Sequence, residues 1–344
     1  MATTFTAAIG FVVAAVIIAS VLGSSNVATV ASVSGPVVAR VDAQLVDINT
    51  QIDGGEGAAA GTGMVLTPSG MVLTNNHVIQ EASSIEATDI GNGQTYAAKV
   101  IGYDERRDIA VLQLEGASGL ASVTLGDSAS VTRGGRIITI GNAGGVGGRP
   151  AARSGTVVAL NQAITVSDDL DDSSEHLSQL IKVDGDLQPG DSGGPMVNAS
   201  GAVVAMDTAA STSFQFSRQT TGEDFAIAID AVKQIAMQIR DGRGSSAIHI
   251  GPTAFIGVYI ASQPASNAAG AAVYEAIPNS AAASAGVRGG DVITSLGGRP
   301  VSSANDLTEA LVPYRPGQRV TLGWLNGVDV PQSATITLGV GPAA

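Results

Sequence analysis

The stretch LQPGDSGGPMVN, Leu187 to Asn198, sets three glycines around one serine, Ser192. So much backbone freedom suits neither a strand nor a helix. It suits a hydroxyl that attacks a substrate while neighbouring N–H groups face the oxyanion being formed, because glycine lets main chain approach a ligand closely. The same residue types also build ordinary turns, so the remainder of the chain has to choose.

A serine hydroxyl is a poor nucleophile near neutral pH unless a base takes its proton, and histidine has the pKa for that task. The chain has three histidines, His77, His176 and His249. His77 ends the apolar run in VLTNNHVI, where a side chain can project from a rigid scaffold. An imidazole in this role needs a carboxylate to fix its tautomer, and Asp108 in DERRDIAVLQLE opens the next strongly apolar run. Each residue alone has a structural explanation, a strand histidine or a turn-capping aspartate. Together, in the order His77, Asp108, Ser192, they read as a nucleophile, its base and the base's orienting acid. His176 and His249 have no motif around them.

Composition frames this reading. With 344 residues, 44% hydrophobic and 14% charged, the chain can bury real cores and fill two or three domains. Forty-four glycines and only 3% aromatics favour many short strands and turns. A formal charge of -13 argues against nucleic acid and is compatible with basic peptide partners. The absence of cysteine removes disulfides, thiolate metal sites and a cysteine nucleophile. No cofactor and no metal is expected. The acidic stretch SDDLDDSSEH, Ser167 to His176, lacks the glycine turn and ligand spacing of a calcium loop and reads as a solvated loop.

At the start, AAIGFVVAAVIIASVLG, Ala7 to Gly23, is apolar and uncharged. It reads as an export signal or a membrane anchor, with cleavage after a small residue such as Ala31 left open. The chain is therefore expected to be exported, extracellular or in the cell envelope. From about Val37 to Ile229 the pattern is strand, turn, strand, enough for two antiparallel barrels. A helix over AVKQIAMQIR follows, capped by Asp230 and closed by Gly242, with Val232, Ile235, Ala236 and Ile239 on one face. The polar, glycine-rich DGRGSSAIHIGPT then marks a connector. Beyond it, strands mix with a helix over Ser280 to Ala285 ended by Gly286, and another opened by a capping box of Ser303 and Asp306. The expected division is 1–35 signal or anchor, 36–243 first globular unit, 244–253 linker and 254–344 second globular unit.

The blocks TNNHVI, RDIAVLQLE and QPGDSGGPMVN, in this order and spacing, resemble the catalytic blocks of HtrA/DegP-like trypsin-like serine proteases. The resemblance implies a mainly β, chymotrypsin-like double β-barrel protease domain followed by an α+β PDZ domain. It implies Ser192 as nucleophile, His77 as base and then acid, Asp108 as orienting carboxylate, and the N–H groups of Gly190 and Ser192 as oxyanion hole. Two positions depart from the group. Asp191 stands where Asn is usual, and is read as a local acceptor of backbone hydrogen bonds, with zymogen-like activation as the lesser alternative. Asp186, six residues before Ser192, stands where trypsin-like enzymes place the base of the pocket for the substrate side chain. It is a candidate for drawing Lys or Arg, against the alternative of a solvated turn residue, with Thr208 and Ala209 as further pocket candidates.

The segment AIPNSAAASAGVRGGDVITSLGGRPVSSANDLTEAL resembles the PDZ domains of the same proteases, and its carboxylate-binding loop would be Phe255, Ile256, Gly257 and Val258. A PDZ domain receives a ligand's C-terminus by strand addition at a sheet edge. The expected function is an exported serine endopeptidase acting on unfolded or damaged proteins through an acyl-enzyme, with PDZ-mediated binding or regulation. The alternative is a chaperone-like or PDZ scaffold protein with latent protease activity. Group members commonly form trimers through N-terminal aromatic residues, and no Phe, Tyr or Trp lies between the apolar run and His77. The oligomeric state is left open.

Overall fold

Continuous apolar runs such as IAVLQL (109–114) arise where a strand is buried on both faces, and the structure shows why that is so here. It is a computed structural model that describes residues 35–52, 57–80, 82–167, 174–208, 224–245, 247–261 and 269–341. Strands β1 (Leu45–Ile52), β2 (Gly57–Val65), β3 (Met71–Thr74), β4 (Ala82–Asp89), β5 (Thr95–Asp104) and β6 (Ile109–Leu114) lie in the order β5-β4-β1-β2-β3-β6. Pairing of β5 with β6 closes them into a barrel. On β6, Ala110, Leu112 and Leu114 fill the barrel interior, whereas Ile109 and Val111 join a second apolar cluster outside it.

That second cluster is the seam with a second barrel. β7 (Arg136–Gly141), β8 (Ala151–Ser167), β9 (Ser174–Asp184), β10 (Pro195–Val197), β11 (Val203–Thr208) and β12 (Asp224–Ala228) close in the order β10-β11-β12-β9-β8-β7. Ile140, Val197, Met206 and Ile227 from this barrel pack with Met64, Leu73, Ile109 and Val111 from the first. The mainly β, double-barrel expectation is met.

Three local features differ from the sequence expectation. Gly35–Asp42 is a helix, α1, rather than the start of the strand pattern; Val38 and Val41, three apart, bury one helical face against the seam. His77 lies not at a strand end but in a one-turn helix, α2 (Asn76–Ile79). The helix after β12, α3 (Ile229–Arg240), begins directly from the strand with Ala228 in the cap position. Asp230 sits within its first turn, and its carboxylate instead accepts from Ser128 N and Oγ at 3.0 and 2.6 Å. The expected buried face of Val232, Ile235, Ala236 and Ile239 is present, and Gly242 closes the helix with φ 66°.

Within the stretch expected as a connector, β13 (His249–Ile250) adds an edge strand to β5. His249 is buried and stacks on Tyr103 with ring centroids 4.9 Å apart. A separate core follows, built on β14 (Ala254–Phe255), β15 (Val258–Ile260), β16 (Ala271–Ala276), α4 (Ala281–Ala285), β17 (Val292–Leu296), β18 (Arg299–Pro300), α5 (Ala304–Leu311), β19 (Arg319–Leu325), β20 (Pro331–Thr337) and β21 (Gly339–Val340). Its main sheet runs β15-β16-β17-β19-β20, and Val273, Ile293, Leu307, Leu322, Trp324 and Ile336 fill it. Ser280 caps α4 and Gly286 ends it at φ 99°. Ser303 caps α5 through Asp306 N at 3.1 Å, while Asp306 reaches Ser302 N rather than closing the reciprocal bond on Ser303. The apolar run 7–23 lies outside the described residues, and among those described no helix is long and apolar enough to cross a membrane.

One polar residue stands out in the second barrel. Asp207 on β11 is fully buried, and neither carboxyl oxygen has a hydrogen-bond partner. Burial pushes its carboxyl well above the ordinary 3.8, the nearby Asp191 and Asp224 push it further, and Arg153 opposes them. Folding therefore favours its neutral form, and the stability it contributes is present in acid and lost as pH rises from the ordinary value through the raised one.

Two outcomes follow from this packing. Ile239→Ala, which opens a cavity where α3 meets both barrels, should cost roughly 2–5 kcal/mol in urea unfolding; a cost below about 1 kcal/mol would show that the helix does not tie the barrels. Asp207→Asn removes the need to keep a proton, so its melting temperature relative to the parent should climb between pH 4 and pH 8 by roughly 3 °C or more, the equivalent of about 1 kcal/mol. A difference independent of pH would mean that Asp207 does not change its charge on unfolding.

Candidate active site

The turn after β5 decides where the first carboxylate goes. Asp104 accepts from Arg107 N at 3.1 Å, which winds residues 105–107 into a single 3-10 turn. Asp108 ends that turn in the left-handed region at φ 55°, a conformation short polar residues tolerate. Its carbonyl accepts from Asn75 Nδ2 at 2.9 Å, and so it is fixed to the segment before α2. The carboxylate then faces His77. Oδ1 accepts from His77 N at 2.9 Å, and Oδ2 lies 2.9 Å from His77 Nδ1. A second donor, Thr208 Oγ1 from the end of β11, reaches Oδ2 at 3.2 Å. Asp108 is 4% exposed, so this carboxylate is held by defined donors and not by water.

Ser192 lies on the far side of the seam, in the loop between β9 and β10, and is 2% exposed. The loop is held through its carbonyls. Pro189 O accepts from Gly144 N at 2.7 Å, and Asp191 O accepts from Gly194 N at 2.9 Å. In a trans peptide the C=O and N–H point in opposite directions, so fixing these two carbonyls also fixes where Gly190 N–H and Ser192 N–H point. Gly190 O is in turn bound by Thr62 Oγ1 at 2.8 Å and Ser192 O by Thr62 N at 2.9 Å. Gly190 has φ 96°, and a Cβ there would stand 2.1 Å from Asn142 O. Gly193 has φ 84°, and a Cβ there would stand 2.2 Å from Thr62 O. No other residue fits either place.

The remaining expected site residues divide. Asp191 does accept a backbone bond, from Gln188 N at 2.8 Å, but its Oδ2 also pairs with Arg153 Nη1 at 2.8 Å. The Asp186 side chain is 80% exposed, its φ is 51°, and its carboxylate lies 3.6 Å from Arg153 Nε and 3.0 Å from Gln188 Nε2. Thr208 is buried against Asp108. Ala209 and residues 168–173 of the acidic stretch lie outside the described residues. Among the described residues no group of His, Asp or Glu is arranged to hold a metal ion.

Sequence reasoning missed Thr62 and Arg153, and named Thr208 only as a pocket candidate and not as a partner of Asp108. No local pattern marks any of them, although the aspartate at 191 could have prompted a search for its cation. In the second core, the expected loop Phe255–Val258 is broken by Gly257 at φ 81°. Ile256 O accepts from Ala282 N at 2.8 Å and Gly257 O from Ile277 N at 2.9 Å. Phe255 lines a cavity of about 800 Å³ with the start of α4 and with β20.

Comparison with known proteins agrees with this geometry. Residues 61–206 match the trypsin-like peptidase domain model, and residues 254–337 match the PDZ domain model. The periplasmic pH-dependent serine endoprotease DegQ of Escherichia coli is 32% identical over 291 residues, covering 83% of this chain and 60% of DegQ. The serine protease PepD of Mycobacterium tuberculosis is 30% identical over 316 residues, covering 88% of this chain and 65% of PepD. The chain thus spans less than two thirds of the length of these relatives. The HtrA-type protease AlgW, solved with a tripeptide, is 26% identical with a TM-score of 0.50, covering 89% of this chain and 95% of AlgW. A carboxylate-bound histidine and a tied-down Gly-Asp-Ser-Gly loop on paired barrels, followed by a PDZ core, agree with these matches: the chain carries a trypsin-like peptidase domain followed by a PDZ domain and is similar to HtrA-type serine proteases.

Proposed function

We propose that the chain is an exported serine endopeptidase that hydrolyses unfolded or damaged proteins through an acyl-enzyme. The observation that carries this reading is the double contact of Asp108 with His77, through the backbone N–H and through Nδ1. With its Nδ1–H donated to Asp108, the neutral imidazole leaves Nε2 unprotonated as a base. Ser192 Oγ would attack the substrate carbonyl carbon as its proton passes to His77 Nε2. The carbonyl π pair moves to oxygen, where Gly190 N–H and Ser192 N–H would receive it. Collapse breaks the C–N bond, and the leaving amine takes the proton back from His77. Water then attacks the ester by the same route and restores Ser192. Thr208 would spread part of the Asp108 charge into a second hydrogen bond and keep the carboxylate oriented.

In this reading residues 36–243 form the protease unit, 244–253 the connection and 254–344 the PDZ unit. DegQ is named a periplasmic protease, and the apolar run Ala7–Gly23 suits export or anchoring to the envelope. AlgW was solved with a tripeptide, and the Phe255–Val258 loop is the element that would take a peptide carboxylate, with the peptide adding a strand beside β15. Substrate tethering or activation by that peptide would follow.

The test is labelling by a fluorophosphonate probe together with cleavage of unfolded casein, with and without a hydrophobic C-terminal peptide. Labelling should occur and vanish in Ser192→Ala. Asp108→Asn should lower kcat on the order of 10³- to 10⁴-fold, and Thr208→Val by about fivefold, the equivalent of one modest hydrogen bond. Absence of labelling under all conditions would overturn the protease reading. An Asp108→Asn variant as fast as the parent would overturn the assignment of His77 as base.

A further inference from the structure

The loop that presents Ser192 contains a buried carboxyl group which the reaction itself does not use. Asp191 lies between the two proposed oxyanion donors, Gly190 and Ser192, and is 1% exposed. There is no slack around it: a Cβ on Gly141 of β7 would stand 2.7 Å from the Asp191 Cα. A buried carboxylate in such a place needs a cation or must take up a proton. The structure supplies a cation from β8 of the same barrel. Arg153, on β8 directly across from Thr139 of β7, places Nη1 2.8 Å from Asp191 Oδ2. Its Nε lies 3.6 Å from Asp186 Oδ2, so one guanidinium touches both Asp186 and Asp191, at the two ends of the segment that contains Gly190.

The surrounding charges strengthen the case. Asp207 packs beneath the loop, and its backbone exchanges hydrogen bonds with it: Gly193 N to Asp207 O at 2.9 Å, and Asp207 N to Gly194 O at 2.8 Å. Its carboxyl is fully buried, burial favours its neutral form, and the guanidinium makes no hydrogen bond to it. Asp224, the other nearby acid, accepts from Gly185 N and Leu187 N at 3.2 Å each. The Arg153 charge is therefore directed at Asp191 and, more weakly through solvent, at Asp186.

We propose that Arg153 is the positioning residue of the oxyanion loop, supplying from within β8 the internal positive charge that buried Asp191 requires. The inference rests on the serine-protease reading above and adds to it a means of forming the loop. Because β8 is part of the barrel, this cation arrives as the barrel folds, and the loop takes its donor-presenting form without a charged group delivered by chain cleavage. Without Arg153, Asp191 would be protonated or would swing toward solvent. Either change moves the Asp191–Ser192 peptide plane, which carries the Ser192 N–H, and shifts Gly190, whose own N–H lies on the Pro189–Gly190 plane one residue further back.

The test uses the full chain. Arg153→Met keeps the length and apolar stem of the side chain but removes its charge. It should slow fluorophosphonate labelling and reduce kcat on a fluorogenic peptide by on the order of 10- to 100-fold, a fraction of what loss of an oxyanion donor costs, with KM changed by less than about twofold, as expected for an interaction made in the transition state. Arg153→Lys, which keeps a cation without the fork geometry, should lose less. The deciding variant is the double replacement Arg153→Met with Asp191→Asn, whose neutral amide needs no counter-charge; it should recover labelling to within about threefold of the parent, a strongly non-additive result. Parent-like labelling by Arg153→Met would overturn the proposal while leaving the protease reading intact. So would a double variant as slow as Arg153→Met although both keep the parent's melting temperature. A parent that never labels would overturn the protease reading itself and the positioning role with it.

Discussion

The site depends on a seam of hydrogen bonds at Thr62. This residue belongs to β2 of the first barrel, is fully buried, and uses every polar group it has on the seam. Its N–H donates to Ser192 O, its hydroxyl donates to Gly190 O and accepts from Asn142 N, and its carbonyl accepts from Thr74 Oγ1. One side chain of the first barrel thereby sets the height of the nucleophile loop of the second. His77 and Asp108 belong to the first barrel and Ser192 to the second, so the distance between base and nucleophile is a property of this seam. The apolar cluster beneath it, with Ile109 and Val111 facing Ile140 and Met206, keeps water from competing for those bonds.

The loop itself shows how a flexible sequence becomes rigid. Its glycines make it permissive, and its carbonyls then make it fixed: Pro189, Gly190, Asp191 and Ser192 each have the carbonyl bound by a specific donor. The N–H groups of Gly190 and Ser192 are oriented as a consequence, because the peptide plane leaves them no independent choice. Preorganisation of this kind is what lets main-chain donors stabilise a developing charge without being rearranged at the moment of reaction.

Electrostatics around the loop follow the same economy. Three acids, Asp186, Asp191 and Asp207, surround one guanidinium, and burial separates their states. Asp186 is solvated, Asp191 is paired, and Asp207 is pushed by burial toward its neutral form. Asp108 is a fourth case, surrounded by donors from His77 and Thr208. The same side chain thus has four different environments within the protease unit, and only the tertiary surroundings tell them apart.

Much was legible in the chain. The three blocks around His77, Asp108 and Ser192 were readable because the chemistry needs those residue types beside glycine and apolar strands. The α3 face and the caps at Ser280, Gly286 and Ser303 were readable because helical period and capping are local. The helix at Gly35–Asp42 was not, since two valines suit a strand as well as a turn of helix until the seam offers them a surface. Neither was β13, because two residues become a strand only when β5 presents an open edge. Asp186 shows a further limit: its offset from Ser192 carries no sign of its positive φ or of the Arg153 guanidinium beside it. By itself the sequence determined which groups could do chemistry and which segments could be strands or helices, because those are properties of residue type and short spacing. Only the tertiary structure decided that Thr62 spans the barrels, that Thr208 backs Asp108 and that Arg153 meets Asp191, because each of these contacts joins residues far apart in the chain whose proximity barrel closure alone creates.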